Sequence, residues 1–136
     1  MHLVRLVYVS TVLADLDLNE LSKLAQTNNL KHNLSGLLAF DRKYFIQVVE
    51  GGRTAVSGLL ANLFSDPRHK DVVILEFDYV DKRDFGQWSM QFVPLDTSMK
   101  QTIFKHSVGK TFDPYGFTKN SALSFLMDIR PAVTGK

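Results

Sequence analysis

The chain contains no cysteine. That excludes a disulfide framework, thiolate catalysis and thiolate metal sites, and makes the reducing cytoplasm the expected address. Long apolar runs are missing too. Nothing approaches the roughly 18 residues that span a bilayer, and the opening Met1-His2-Leu3-Val4-Arg5 meets a charge too early for a signal-peptide core. Neither sign of charge dominates: 16 basic residues stand against 14 acidic ones, a formal net charge of +2. The basic residues are dispersed, so there is no electrostatic footprint for nucleic acid or a membrane surface. Linkers, low-complexity tracts and internal repeats are absent as well.

What is present is ordinary globular material. With 136 residues, 45% hydrophobic and 22% charged, the chain is one domain that can bury a core without metal or cross-links. Leu3 to Val9 reads as a strand. Asp17-Leu18-Asn19-Glu20 resembles a capping box, and the helix it opens sets Leu18, Leu21, Leu24 and Ala25 on one stripe, with Asn28 and Asn29 at its inner end. Strands follow at Leu34 to Phe40 and Tyr44 to Glu50, turned by Asp41-Arg42-Lys43. Gly51-Gly52 stops the second of these. Val56, Leu59, Leu60 and Leu63 mark a second helix, which ends before Asp66-Pro67. Val72 to Val80 and Phe85 to Val93 read as the last two strands, with Trp88, Met90 and Phe92 on one face. The order β-α-β-β-α-β-β predicts an α+β, ferredoxin-like sheet. Two further helices, Ser98 to Val108 and Ser121 to Ile129, should cover the sheet face that the first two leave open.

Several polar residues interrupt these apolar patterns. Tyr8 lies in the first strand, Asn28 and Asn29 end the first helix, and Gln47 breaks Phe45-Ile46-Gln47-Val48-Val49. A buried amide or hydroxyl without a partner costs about 1–3 kcal/mol. Taken alone, Tyr8 is a strand tyrosine with its hydroxyl at the rim, and Asn28-Asn29 is a helix stop in the left-handed conformation. Gln47 resists such a reading. Converging on one region, these side chains suit a planar, hydrogen-bonding ligand.

In order and spacing the blocks resemble the BLUF family of blue-light sensors that use a flavin. The blocks are Tyr8 in Arg5-Leu6-Val7-Tyr8, Asn28-Asn29, Ser35-Gly36-Leu37-Leu38, Phe45 to Gly51, Asp66-Pro67-Arg68-His69 and Trp88-Ser89-Met90. The resemblance implies a non-covalent flavin, FAD being the family's usual cofactor with FMN and riboflavin as alternatives. Tyr8, Asn28, Asn29, Phe45, Gln47, Asn62, Asp66 and Arg68 would bind it. Light would draw an electron and a proton from Tyr8, and Gln47 would rearrange its hydrogen bonds into a reversible, red-shifted signalling state. Trp88 and Met90 would be photoactive neighbours, exchanging places at one site if the last strand slid by two residues. The family often carries Arg or Lys where Asn62 stands, and Asn62 brings an amide without the positive charge.

The expected organisation is a sensing core over 1–95 and a helical extension over 96–136. The chain has no catalytic constellation of its own, so the signal should pass to a downstream signalling protein or through assembly of copies. The helices around Phe104 and Leu126 are the expected partner surface. Two other classes compete. A ferredoxin-like RNA-binding module would need a Gly-and-aromatic signature with basic residues on its third strand, and a small acyl-phosphate hydrolase would need a phosphate-cradling loop. The sequence contains neither.

Overall fold

The computed structural model describes residues 2–13, 17–109 and 111–130, apart from the side chain of Leu18. Five strands form one mixed sheet: β1 (Leu3–Val12), β2 (Ser35–Phe40), β3 (Tyr44–Gly52), β4 (His69–Tyr79) and β5 (Gln91–Pro94), in the order β4-β1-β3-β2-β5. Helices α1 (Leu18–Lys31) and α2 (Arg53–Ser65) connect them, and α3 (Lys100–His106) and α4 (Lys119–Ile129) follow. The α+β, ferredoxin-like architecture expected of the element order is present.

β1 and β3 sit in the middle of the sheet, which is why both read as almost unbroken apolar runs. Alternation divides their side chains between two cores. Val7, Val9, Ile46 and Val48 pack with Phe85, Ile103, Phe112, Phe117, Ala122, Phe125, Leu126 and Ile129 from the C-terminal part of the chain. Val4, Leu6, Tyr8, Phe45 and Val49 pack with Val56, Leu34, Leu38 and Met90, and with the flanking Ala25, Leu59, Leu60 and Leu63 of α1 and α2.

The boundaries differ where tertiary contacts intervene. α1 does not stop at Asn28-Asn29 but runs on to Lys31, and the residue in the left-handed region is Asn33, with φ 57°. β4 starts at His69, three residues earlier than expected, and carries bulges against β1, with Asp71 at φ 54°. α2 begins directly after Gly52, and the last two helices are Lys100–His106 and Lys119–Ile129.

The largest difference is the fifth strand. Only Gln91–Pro94 pairs with β2, in parallel, and residues 85–90 are irregular. A buried carboxylate holds the start of this segment. Glu50 accepts the backbone amides of Asp84 (3.1 Å) and Phe85 (2.7 Å) and the guanidinium of Arg5 (3.0 Å). It therefore takes the Phe85 amide, which the expected strand would have used in a ladder. Freed from strand alternation, Trp88 and Met90 part company: Trp88 packs with the C-terminal helices and Met90 with the α1–α2 side. In this structure it is Met90, and not Trp88, that stands against Gln47.

Glu50 is fully buried and Arg5 nearly so, and removing one partner of such a pair leaves an uncompensated charge. Glu50→Ala should destabilise the fold by about 3 kcal/mol or more, read as a shift in the midpoint of urea unfolding. An unchanged midpoint would show that Arg5 does not depend on it.

Candidate functional site

The antiparallel register of β1 and β3 sets Tyr8 directly opposite Gln47, and β2 continues the row with Leu38 opposite Gln47. Leu38 in turn pairs with Phe92 of β5. These four side chains lie along the floor of a cavity of 280 Å³ between α1 and α2. Leu21, Leu24 and Ala25 come from α1, and Leu59, Asn62 and Leu63 from α2. Tyr8, Asn28, Asn29, Phe45, Gln47, Asn62, Asp66 and Arg68 all line this cavity, and His69 joins them. Neither Trp88 nor Met90 lines it.

α1 stands over the cleft in an unusual way. Among its described residues the one buried side chain is Asn29, whereas Leu24 of its apolar stripe is 59% exposed. An amphipathic helix normally packs its stripe on protein. Here the stripe faces the cleft, and polar ties hold the helix: Asn29 Nδ2 donates to the Ser89 carbonyl (2.7 Å) and Gln26 Nε2 to the Met90 carbonyl (3.1 Å). Gln26 carries no motif, and its role shows only in the fold. Asn29 Oδ1 and the whole amide of exposed Asn28 make no side-chain hydrogen bond among the described residues.

At the floor the hydrogen bonds form a chain. The Tyr8 hydroxyl donates to Gln47 Oε1, and Gln47 Nε2 faces the Met90 sulfur at 3.4 Å. Met90 reaches that seat because Gly36 lets the backbones close up. A Cβ at Gly36 would meet the Val48 carbonyl oxygen at 2.0 Å and the Met90 methyl at 3.2 Å. The Gly36 amide also binds the Trp88 carbonyl (3.1 Å).

The mouth of the cleft is an ion pair. Asp66 ends α2 in the extended backbone that a following proline requires, and Arg68 grips both of its carboxylate oxygens at 2.6–3.1 Å. Those bonds hold Asp66 below the usual carboxylate range. His69 is fixed at both ring nitrogens, by Ser10 Oγ (2.9 Å) and the Leu63 carbonyl (2.8 Å). A carbonyl can only accept, so Nε2 carries the proton. His69 thus pins β4 to the end of α2 and sets its ring edge toward Tyr8, 6.3 Å between centroids.

The donor set fits an isoalloxazine ring: apolar walls from two helices, a floor of phenol and amide, and open amide groups at the Asn28-Asn29 end. The sequence pattern of the BLUF family, described as sensors of blue light using FAD, matches residues 3–91. The chain belongs to this family. It is 30% identical over 109 residues to the blue light- and temperature-regulated antirepressor BluF of Escherichia coli, a match over 79% of this chain and 27% of that protein. It is 33% identical over 88 residues to the photoactivated adenylate cyclase subunit alpha of Euglena gracilis, covering 62% of this chain and 9% of that one. The chain therefore spans about a quarter or less of these relatives. Among solved structures, BlsA in its ground state superposes with a TM-score of 0.85 at 27% identity, over 98% of this chain and 91% of that one.

This chain is a BLUF-type blue-light sensor module that takes a flavin. The RNA-binding and acyl-phosphate hydrolase readings find no support. Both sheet faces are covered by helices, and no helix among the described residues is long and apolar enough to cross a membrane.

Burial raises the Tyr8 pKa well above its ordinary 10.0, the Asp66 charge raises it further, and Arg68 partly offsets both. The phenolate is thus the disfavoured form in the fold. Tyr8's share of stability is complete below its ordinary pKa and is lost as pH climbs above it. Unfolding free energy should fall above about pH 10 by up to about 1.4 kcal/mol per pH unit from this group, and Tyr8→Phe should show a shallower decline. Equal alkaline slopes for the two proteins would contradict this.

Proposed function

We propose that residues 1–95 form the sensing core, that Tyr8 and Gln47 are its photoactive pair, and that residues 96–136 hand the signal to another protein without any catalytic step of their own. The observation carrying this reading is the chain from Tyr8 Oη–H to Gln47 Oε1 and from Gln47 Nε2 to Met90 Sδ. When bound, the flavin supplies a light-absorbing electron acceptor. FAD is taken as its form, on the description of the family as FAD-using.

Tyr8 holds its proton at Oη, already aimed at Gln47, and a phenol can release an electron and a proton together. Gln47 carries an acceptor and two donors on one rotor. Turning it about its last torsion presents Nε2 toward Tyr8 and Oε1 toward Met90. The sulfur of Met90 is only a weak acceptor, so the present orientation is weakly held on that side. Rewiring the amide therefore changes what the Met90 segment experiences. Asn28 and Asn29 offer amides for the polar edge of the ring, and the leucines of α1 and α2 exclude water from its faces. Asn62 supplies a neutral amide where a basic residue is common in the family. Arg68 is committed to Asp66 at the mouth. A cysteine-free chain suits the cytoplasm, and the antirepressor relative fits an output through protein contact.

The partner surface is narrower than the two helices as a whole. Leu126 is fully buried in the core beneath α4, whereas Phe104 on α3 is 50% exposed, so Phe104 remains a candidate contact and Leu126 does not.

Purified from flavin-rich cells, the protein should carry oxidised flavin non-covalently and show a small, reversible red shift of its blue absorption band under blue light. Tyr8→Phe and Gln47→Leu should keep the flavin and lose the red shift. A colourless protein that takes up no FAD, FMN or riboflavin would sink the reading, and a normal photoproduct in either variant would sink the assigned roles.

A further inference from the structure

On the sheet face away from the cleft, side chains of alternating charge run between the two ends of α4. Lys119, the first residue of α4, has its Nζ 3.6 Å from Glu76 Oε2. Glu76 Oε1 faces Arg5 Nη1 at 3.9 Å, and Arg5 Nη2 binds Asp84 Oδ2 at 2.5 Å. The Asp84 carbonyl then accepts from Arg130 at the other end of α4 (2.8 Å). The register places Arg5, Glu50 and Glu76 on the face that carries Val7 and Val48, so the guanidinium lies under the C-terminal helices.

One member is badly served. The Glu76 side chain is 95% buried by its 5% exposure, yet Oε1 has no hydrogen-bond partner. A buried carboxylate oxygen without a donor is costly, and Arg5 Nη1 stands 3.9 Å from it while Nη2 of the same guanidinium is bound to Asp84. Glu50 fixes the Arg5 Nε and leaves the far end of the guanidinium to be shared. Asp84 also lies in the irregular stretch between β4 and β5, at the start of its 84–90 part. Its other end is Met90, against Gln47.

We propose that Arg5 is a positioning residue that exchanges between Asp84 and Glu76 and thereby couples the 84–90 segment to both ends of α4. With Asp84 seated, Arg130 holds the C-terminal end of α4 through the Asp84 carbonyl, and Glu76 relies on Lys119 at the N-terminal end. When the segment withdraws Asp84, Arg5 supplies the hydrogen bond that Glu76 lacks. The Glu76 charge, now compensated by Arg5 at Oε1, holds Lys119 at Oε2 less strongly, and Arg130 loses its carbonyl. The helix loosens at both ends in one event. That light triggers the withdrawal rests on the sensing role of Gln47, and the exchange itself does not.

The test is hydrogen exchange over residues 119–130 in the full, flavin-bound chain, in the dark and under blue light. Asp84→Asn should mimic the loss of the Arg5 contact while keeping the carbonyl that Arg130 binds: amides at the N-terminal end of α4 exchange about tenfold faster in the dark than in the native protein, and light adds little there. Glu76→Gln removes the charge that draws Arg5 across and weakens the hold on Lys119, so exchange at the N-terminal end of α4 is already raised in the dark and its light response is lost. Both variants should keep the flavin red shift, because neither residue lines the cleft. Native-like dark exchange in Asp84→Asn, or a full light response of α4 in Glu76→Gln, overturns the proposal. A native protein without a red shift would count against the sensing role instead, and the dark comparison of Asp84→Asn with native would still decide the exchange.

Discussion

The Gln47 amide sits in the middle of the sheet with both of its ends engaged, one by the Tyr8 hydroxyl and one by the Met90 sulfur. A buried amide cannot be left half-paired without cost, so whatever stands on either side of it is constrained. On one side the β1–β3 register must bring a hydroxyl opposite it. On the other, a sulfur must be delivered from a segment that is not a strand. That delivery depends on Gly36 for space, on Glu50 to take the Asp84 and Phe85 amides, and on Asn29 and Gln26 to hold the Ser89 and Met90 carbonyls. Residues far apart in the chain are thus committed to one hydrogen-bond geometry.

The two faces of the sheet are built to different standards. Beneath the C-terminal helices the packing is dense and aromatic, with Phe112, Phe117 and Phe125 in mutual ring contact. On the cleft side α1 buries no apolar side chain among its described residues and is secured by amide contacts near its C-terminal end. Few buried apolar contacts mean low local stability, which is where ligand-binding elements belong. A ligand between α1 and α2 would complete the packing that the helix lacks.

Much of this was legible in the chain. Alternation in Tyr44 to Glu50 separates Phe45, Gln47 and Val49 from Ile46 and Val48, and these sets do enter different cores. Pro67 marks the end of α2, and the polar residues that break the patterns lie around one cavity. Phe85 to Val93 misled because its apolar residues alternate as a strand's would, while the acceptor for its first amide, that of Phe85, lay on Glu50, 35 residues earlier. Asn28-Asn29 misled as a stop because Asn33 was the residue that turned left-handed.

What the sequence by itself determined is local: which segments can be strand or helix, which side chains share a face, and which polar residues would be stranded without a partner. Those follow from periodicity and from the cost of burying an unpaired group, both written in consecutive residues. Only the tertiary structure decided which groups satisfy one another. Tyr8 with Gln47, Glu50 with Asp84 and Phe85, and Arg5 poised between Asp84 and Glu76 are pairings across strands and loops. They are set by register and by the closing of a loop over a buried carboxylate, which sequence periodicity does not encode.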